Sequence, residues 1–96
     1  MIAEHAKTQI KNRFETIITN DVITHIEKRI DAYATEPKLY IEIVKYKNVR
    51  RFTESNGHEC CGDVLVAVVK LGCIVTFLLG NSRRNDYFSD GKYIRL

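Results

Sequence analysis

The first third of the chain has the hydrophobic spacing of two amphipathic helices. Apolar residues recur every three or four positions from residue 2 to about residue 16, which places them on one helical face. The β-branched run Thr16–Thr19 lowers helix propensity and ends this helix. A second apolar stripe follows and closes before Pro37, because the residue before proline avoids helical geometry. The pattern predicts helices over about 2–16 and 20–35.

From residue 38 the hydrophobic period falls to two, which is typical of β-strands. The clearest pair of strands covers Gly62–Lys70 and Cys73–Gly80, joined by Leu71 and Gly72. Glycine adopts the positive φ that a tight turn requires. Both strands are apolar on both faces, so we expect this hairpin to be central in the sheet and covered by the helices on at least one side.

The remaining strands complete the predicted sheet, which extends over about 38–96. One strand begins at Lys38, Val49–Thr53 either continues it or forms a second short strand, and Lys92–Leu96 is expected to return as an edge strand. The predicted fold class is therefore α+β, with two N-terminal helices packed on a curved antiparallel sheet of about four strands. We expect one domain covering residues 1–96.

Composition and apolar runs limit the classes of protein to which the chain can belong. Hydrophobic residues make up 45% of the sequence, which suits a globular domain and excludes a disordered chain. The N-terminal residues lack the apolar core of a secretory signal. The longest apolar stretch, Val64–Leu79, contains Lys70 and Gly72, so a hairpin explains it better than a membrane helix.

The three cysteines do not suggest a disulfide framework. Their number is odd, and Cys60 and Cys61 are adjacent, so on a strand they would point to opposite faces. Free thiols are typical of a reducing compartment, which favours a cytoplasmic protein. His58 lies close to this pair, but with Cys73 the set matches no closed tetrahedral spacing. We therefore expect no metal and no other cofactor.

Two basic segments point to a polyanionic partner, which the formal net charge of +3 permits. Arg83 and Arg84 directly follow a predicted strand, and guanidinium groups suit phosphate oxygens. The alternative for this pair is a solvated turn. Arg50 and Arg51 precede Phe52, and basic groups beside aromatic rings suit single-stranded RNA.

Two histidines border the apolar faces of the two predicted helices. His5, Gln9 and Arg13 follow one another at four-residue spacing, so they form a polar line along one border of the first helix. His25 borders the second helix in the same way. If the helices pack together, the two imidazoles could approach each other and serve as paired general base and general acid. The alternative is two ordinary helix-surface histidines.

Together these features resemble the RelE-like ribonuclease superfamily, most closely its phage early-mRNA endoribonuclease branch. Members of that family place two short helices before an antiparallel sheet. Gln9 stands where the family pattern usually has arginine. The resemblance is carried by the helical pattern His5-Ala6-x-x-Gln9-x-x-x-Arg13, His25 on the second helix, the strand pair joined at Leu71-Gly72, and the segment Asn81-Ser82-Arg83-Arg84.

The resemblance implies a metal-independent endoribonuclease. A base would take the proton of a ribose 2′-hydroxyl, which attacks the adjacent phosphate, and an acid would protonate the departing 5′-oxygen. Cationic donors would stabilise the charge on the phosphorane. The resemblance assigns proton transfer to two histidines and substrate binding to four polar residues. These are His5 and His25, and Gln9, Arg13, Arg83 and Arg84.

Two other functions are compatible with the same pattern. One is a non-catalytic module of this fold that binds RNA or a protein, which Gln9 and the mild charge favour. The other is self-association, with Val64, Val66 and Val68 buried against a second copy. The expected partners are RNA, a host or antitoxin-like protein, or a second copy, with no membrane. A phage-encoded protein would act in the host cytoplasm.

Overall fold

The computed structural model describes residues 1–15, 17–45, 52–53, 59–60, 64–80 and 88–96. The helical segments are α1 (Glu4–Gln9), a π-helical segment (Ile10–Phe14) and α2 (Asn20–Ala32). The strands are β1 (Lys38–Lys45), β2 (Phe52–Thr53), β3 (Glu59–Cys60), β4 (Val64–Lys70), β5 (Cys73–Gly80) and β6 (Lys92–Arg95). Helices precede the sheet, so the prediction of an α+β protein is confirmed.

The main sheet has four strands in the order β5-β4-β1-β6, and β2 pairs with β3 separately. β4 is antiparallel to both of its neighbours, whereas β6 is parallel to β1. The prediction of an antiparallel sheet is therefore wrong at β6. The reason lies just before this strand, where Asp90 bonds to Lys38 and Tyr40 and so fixes the start of β6 beside the start of β1.

The hairpin of β4 and β5 forms as predicted, but only one of its strands is central. Leu71 has a φ of 50° and Gly72 a φ of 77°, as in the type I′ turn that joins twisted strands with two residues. β4 lies inside the sheet, while β5 is an edge strand. The prediction that the whole hairpin is central is therefore wrong.

The outer edge of β5 is occupied at its start by the first residues of the chain. The Ala3 amide donates to the Ile74 carbonyl at 2.8 Å, and the Ile74 amide donates to the Met1 carbonyl at 3.0 Å. Ile2 forms a parallel bridge with Ile74. Because these residues are extended, the first helix begins at Glu4 rather than at residue 2 as predicted.

The helices also end earlier than the hydrophobic pattern predicts. The first helical run changes from α to π geometry after Gln9 and ends at Phe14. α2 begins after Thr19, whose hydroxyl accepts from the Val22 amide at 3.4 Å. It ends at Ala32, not near residue 35. Among the described residues, no helix is long and apolar enough to cross a membrane.

The sheet has an apolar cluster on each face. The helix-facing cluster consists of Ala6, Phe14, Ile18, Ile26, Ile30, Leu39, Ile41, Leu65, Ala67, Val69, Ile74 and Phe77. The cluster on the other face consists of Tyr40, Val64, Val66, Val68 and Phe88. The three valines that were expected to meet a second copy are thus already buried within the chain.

Candidate functional site

Gln9 attaches α1 to the outer edge of β5. Its side-chain oxygen accepts from the Phe77 amide at 2.8 Å and from the Thr76 hydroxyl at 3.0 Å. Its side-chain nitrogen donates to the Phe77 carbonyl at 3.1 Å. The side chain is buried, so these bonds satisfy backbone groups that an edge strand otherwise leaves unpaired. The amide expected to bind substrate is thus engaged within the fold.

This attachment places His5 and Arg13 along the same side of the first helical run. His5 lies one α-helical turn before Gln9, and Arg13 lies about one turn after Gln9 in the π-helical segment. The run follows β5 in the same direction, because the N-terminal residues meet Ile74 and Gln9 meets Phe77. His5 is exposed and Arg13 is half-buried. We call this strip of His5, Gln9 and Arg13 beside β5 the β5 flank.

Arg13 lies towards the end of β5, where the predicted arginine segment follows in sequence. Arg83 and Arg84 come three and four positions after Gly80, the last residue of β5. Both arginines lie outside the described residues. The described residues therefore include one arginine of the predicted substrate-binding set, Arg13.

The two histidines do not face each other across the helices. A groove of about 370 Å³ is lined by residues of both helical runs, including Lys7 and Ile23. Two positions along a helix correspond to about 200° of rotation, so His5 lies on the side of α1 opposite Lys7. By the same rotation His25 lies opposite Ile23, and both histidines are exposed. The groove is lined by Ile2, Lys7, Ile10, Lys11, Glu15 and Ile23.

A polar cluster that the sequence did not single out lies on the sheet face away from the helices. The Asp90 carboxylate accepts from the Lys38 ammonium at 2.6 Å and from the Tyr40 hydroxyl at 2.5 Å. The hydrogen bond from Lys38 is the main cause that holds the pKa of Asp90 below its ordinary value, and the bond from Tyr40 acts in the same direction. The bond to Asp90 raises the pKa of Lys38, and burial is the main cause that raises the pKa of Tyr40.

Glu42 organises a second group on the same face. One carboxylate oxygen accepts from the Tyr93 hydroxyl at 3.1 Å, and the other forms an ion pair with Arg95, at 3.1 Å from its Nε. The ring centroids of Tyr93 and Phe88 lie 5.4 Å apart. A cavity of about 350 Å³ adjoins this group, lined by Phe88, Tyr93, Ile94 and Arg95. The alternating pattern of β1 and β6 was visible in the sequence, but their pairing was not.

The structure describes only some of the other candidate positions. Arg50 and Arg51 lie outside the described residues, as do His58 and Cys61. Cys73 is a half-buried free thiol. Within the part of the chain that the structure describes, no three histidine, cysteine, aspartate or glutamate side chains are grouped so as to hold a metal ion.

A scan against protein-family models, a search of curated proteins and a search of solved structures each find no match to this chain. The resemblance to RelE-like ribonucleases therefore remains an expectation drawn from the residues. The α+β layout is compatible with it in general class, although the sheet is mixed and the first helical run is divided. A shared general class does not imply a shared function, which depends on the residues of the site.

Proposed function

We propose that this protein binds RNA along the β5 flank. The observation that carries the proposal is the attachment of Gln9 to Phe77, which aligns His5 and Arg13 on one side of the first helical run. A guanidinium group binds phosphate oxygens through paired hydrogen bonds, and an exposed imidazole adds a further donor. The flank therefore carries one guanidinium group and one imidazole along one line.

The position of the flank adds further support. It leads towards the end of β5, after which Arg83 and Arg84 follow in sequence. Because Gln9 uses its amide within the fold, the positive charge for phosphate on the described part of the flank comes from Arg13. The net charge of +3 is modest, so we propose local contacts to the RNA backbone rather than a broad basic surface.

The binding proposal is tested by measuring the affinity for a labelled single-stranded RNA across a series of salt concentrations. We expect Arg13→Gln to weaken binding and to reduce the slope of log affinity against log salt by about one, since one phosphate contact is lost. Lys28→Gln is the matched control, because Lys28 is an exposed cation of α2 outside the flank. Salt-independent binding, or equal losses in both variants, would contradict the proposal.

RNA cleavage is the second candidate function, and the exposure of His5 on the flank favours it. The imidazole would accept the proton of a ribose 2′-hydroxyl while the O2′–P bond forms and the P–O5′ bond breaks. The products are a 2′,3′-cyclic phosphate and a 5′-hydroxyl, whose proton comes from the imidazolium or from water. Arg13 would stabilise the charge on the phosphorane.

The cleavage candidate is tested by incubating mixed RNA with the protein in EDTA and analysing the product ends. His5→Ala, which removes the imidazole, should slow cleavage by about 10²–10⁴-fold, the usual contribution of a general base. His25→Ala should leave the rate nearly unchanged, because His25 and His5 do not share a groove. Equal losses in both variants would support the paired histidines that the resemblance implies. Intact RNA with the unmodified protein would remove this candidate and leave the binding test unaffected.

A further inference from the structure

The pair formed by Tyr93 and Arg95 on β6 is held in place by Glu42. The Glu42 side chain is only 11% exposed, and it accepts a hydrogen bond from Tyr93 and forms an ion pair with Arg95. Tyr93 and Arg95 alternate along β6, so they lie on the same face of the sheet. Asp90 reinforces this arrangement, because its bonds to β1 fix the start of the strand.

The exposed part of this pair has the chemistry of a nucleotide site. Tyr93 is 37% exposed, and its ring lines the cavity together with Phe88. Arg95 is 79% exposed, and Glu42 holds it through Nε. The terminal guanidinium nitrogens are the atoms that bind phosphate in a bidentate manner. A volume of about 350 Å³ is at the small end of the range for ligand pockets and suits one base.

We propose that this cavity binds one nucleotide, with the base stacked on Tyr93 and the phosphate held by Arg95. Aromatic rings stack on every nucleobase, so the site would tolerate different bases. The nucleotide is either free in solution or one unit of an RNA strand. In the second case the inference rests on the proposed RNA binding and adds a contact at β6, the opposite edge of the sheet from the β5 flank.

The first experiment follows the backbone amides of Tyr93, Ile94 and Arg95 by NMR during titration with AMP. Because the chain contains no tryptophan, tyrosine fluorescence gives an independent readout of the same titration. We expect saturable shifts at these three amides. Adenosine and inorganic phosphate should each bind more weakly than AMP, since each offers only half of the contacts.

Substitutions at the two contact residues separate stacking from charge. Tyr93→Leu should weaken AMP binding by roughly tenfold, the order expected for loss of one base-stacking contact. Tyr93→Phe keeps the ring and should retain most of the affinity. Arg95→Gln should weaken binding of AMP but not of adenosine. Lys92→Gln is the matched control, because it removes an exposed positive charge from β6 without altering the cavity lining.

A parallel titration with a short oligoribonucleotide distinguishes the two sources of the nucleotide. Binding of both probes, weakened by the Tyr93 and Arg95 substitutions, indicates a pocket that accepts free nucleotides. Binding of the oligonucleotide alone, with the same dependence, indicates a contact for an RNA strand. The proposal is overturned if neither probe shifts these amides at millimolar concentration, or if the shifts survive both substitutions. Arg13→Gln tests the β5 flank separately.

Discussion

A glutamine side chain, rather than a neighbouring strand, pairs with the outer edge of β5 at Phe77. The amide presents both an acceptor and a donor, so it satisfies the N–H and the carbonyl of the same residue. The pattern His5-x-x-x-Gln9-x-x-x-Arg13 predicts a polar border of the first helix, and in the structure Gln9 is buried against β5 while His5 is exposed and Arg13 half-buried. The internal role of Gln9 was not predictable, because it depends on which strand lies at the edge.

Replacing Gln9 tests this role directly. Gln9→Leu keeps a similar volume but leaves two backbone groups of Phe77 buried without partners, so we expect unfolding free energy to fall by about 1–3 kcal/mol. Asn12→Leu, at an exposed position of the same helical run, is the matched control. The measurement is denaturant unfolding of both variants. Equal effects in the two would show that the hydrogen bonds add no stability.

Asp90 makes stability depend on pH at both ends of the range. Its pKa is lowered from 3.8 in the folded protein, so its contribution is present above that value and is lost as pH falls through the folded pKa. The pKa of Lys38 is raised from 10.5 in the folded protein. The stability that the charged Lys38 contributes is therefore present below pH 10.5 and is lost as pH rises through the folded pKa. We expect a small effect, since the pair is near the surface.

The measurement for Asp90 compares unfolding of the unmodified protein and Asp90→Asn between acid and neutral pH. The difference in stability between them should be present at neutral pH and should shrink as the carboxyl becomes protonated. High salt should reduce it as well, because exposed ion pairs are screened. A difference that stays constant through the acid range would mean that the carboxylate charge is not what holds β6.

At the scale of elements, β6 depends on a close approach at Gly91. A Cβ added there would lie 3.0 Å from the Lys38 carbonyl oxygen and 3.0 Å from a ring carbon of Tyr40. Neither neighbour can move freely, because the first is backbone and the second is buried and bonded to Asp90. Glycine is therefore required where the chain passes from Asp90 into β6.

Gly91→Ala should accordingly disturb β6 more than the rest of the sheet. We expect a loss of about 1–3 kcal/mol, the usual cost of overpacking. Hydrogen exchange should show faster exchange at the Leu96 amide, which donates to Glu42 at 2.9 Å, while amides in β4 change less. Lys92→Ala serves as the control. Uniform acceleration in all strands would argue against a local effect.

Hydrophobic periodicity predicts the local elements of this fold but not the pairing of distant segments. The order of helices before strands and the Leu71-Gly72 turn follow from local patterns, and these predictions are confirmed, whereas the helix bounds and the π-helical segment differ from the prediction. The parallel direction of β6 depends instead on contacts with Lys38 and Tyr40, more than fifty positions earlier in the chain. The extended N-terminus likewise depends on Ile74. Local spacing carries no information about such distant pairings.

At the scale of the whole molecule, the sheet separates two apolar clusters that share few side chains. Phe77 belongs to the helix-facing cluster and Phe88 to the opposite one. Phe14 contacts Phe77 edge to face, with ring centroids 6.2 Å apart. Substitutions in separate clusters should act independently, whereas substitutions at touching rings should not.

A double-mutant cycle tests this separation. Phe77→Leu and Phe88→Leu should each cost about 1 kcal/mol, and their combined effect should equal the sum within about 0.5 kcal/mol. The matched cycle joins Phe14→Leu with Phe77→Leu and should deviate more strongly from additivity. Unfolding in denaturant supplies all the values. Strong coupling between Phe77 and Phe88 would show that the sheet transmits strain between its faces.

The functional residues are predictable to a different extent at each site. The β5 flank was visible because His5, Gln9 and Arg13 belong to one helical repeat. The separation of His5 from His25 was not predictable, because it depends on the rotation of two helices about their axes. The Glu42 group joins β1 and β6, which are separated by about fifty residues in the sequence, so only the fold brings it together.

The bonds between the N-terminal residues and Ile74 have a consequence for how the protein is made on the ribosome. Residues 1–3 are synthesised early, but their hydrogen-bond partners in β5 emerge only after about seventy further residues. α1 can form locally, yet it cannot dock until Phe77 has left the exit tunnel to meet Gln9. Docking of the first helical run should therefore wait until β5 has been synthesised, and folding of this part of the sheet stays incomplete until then.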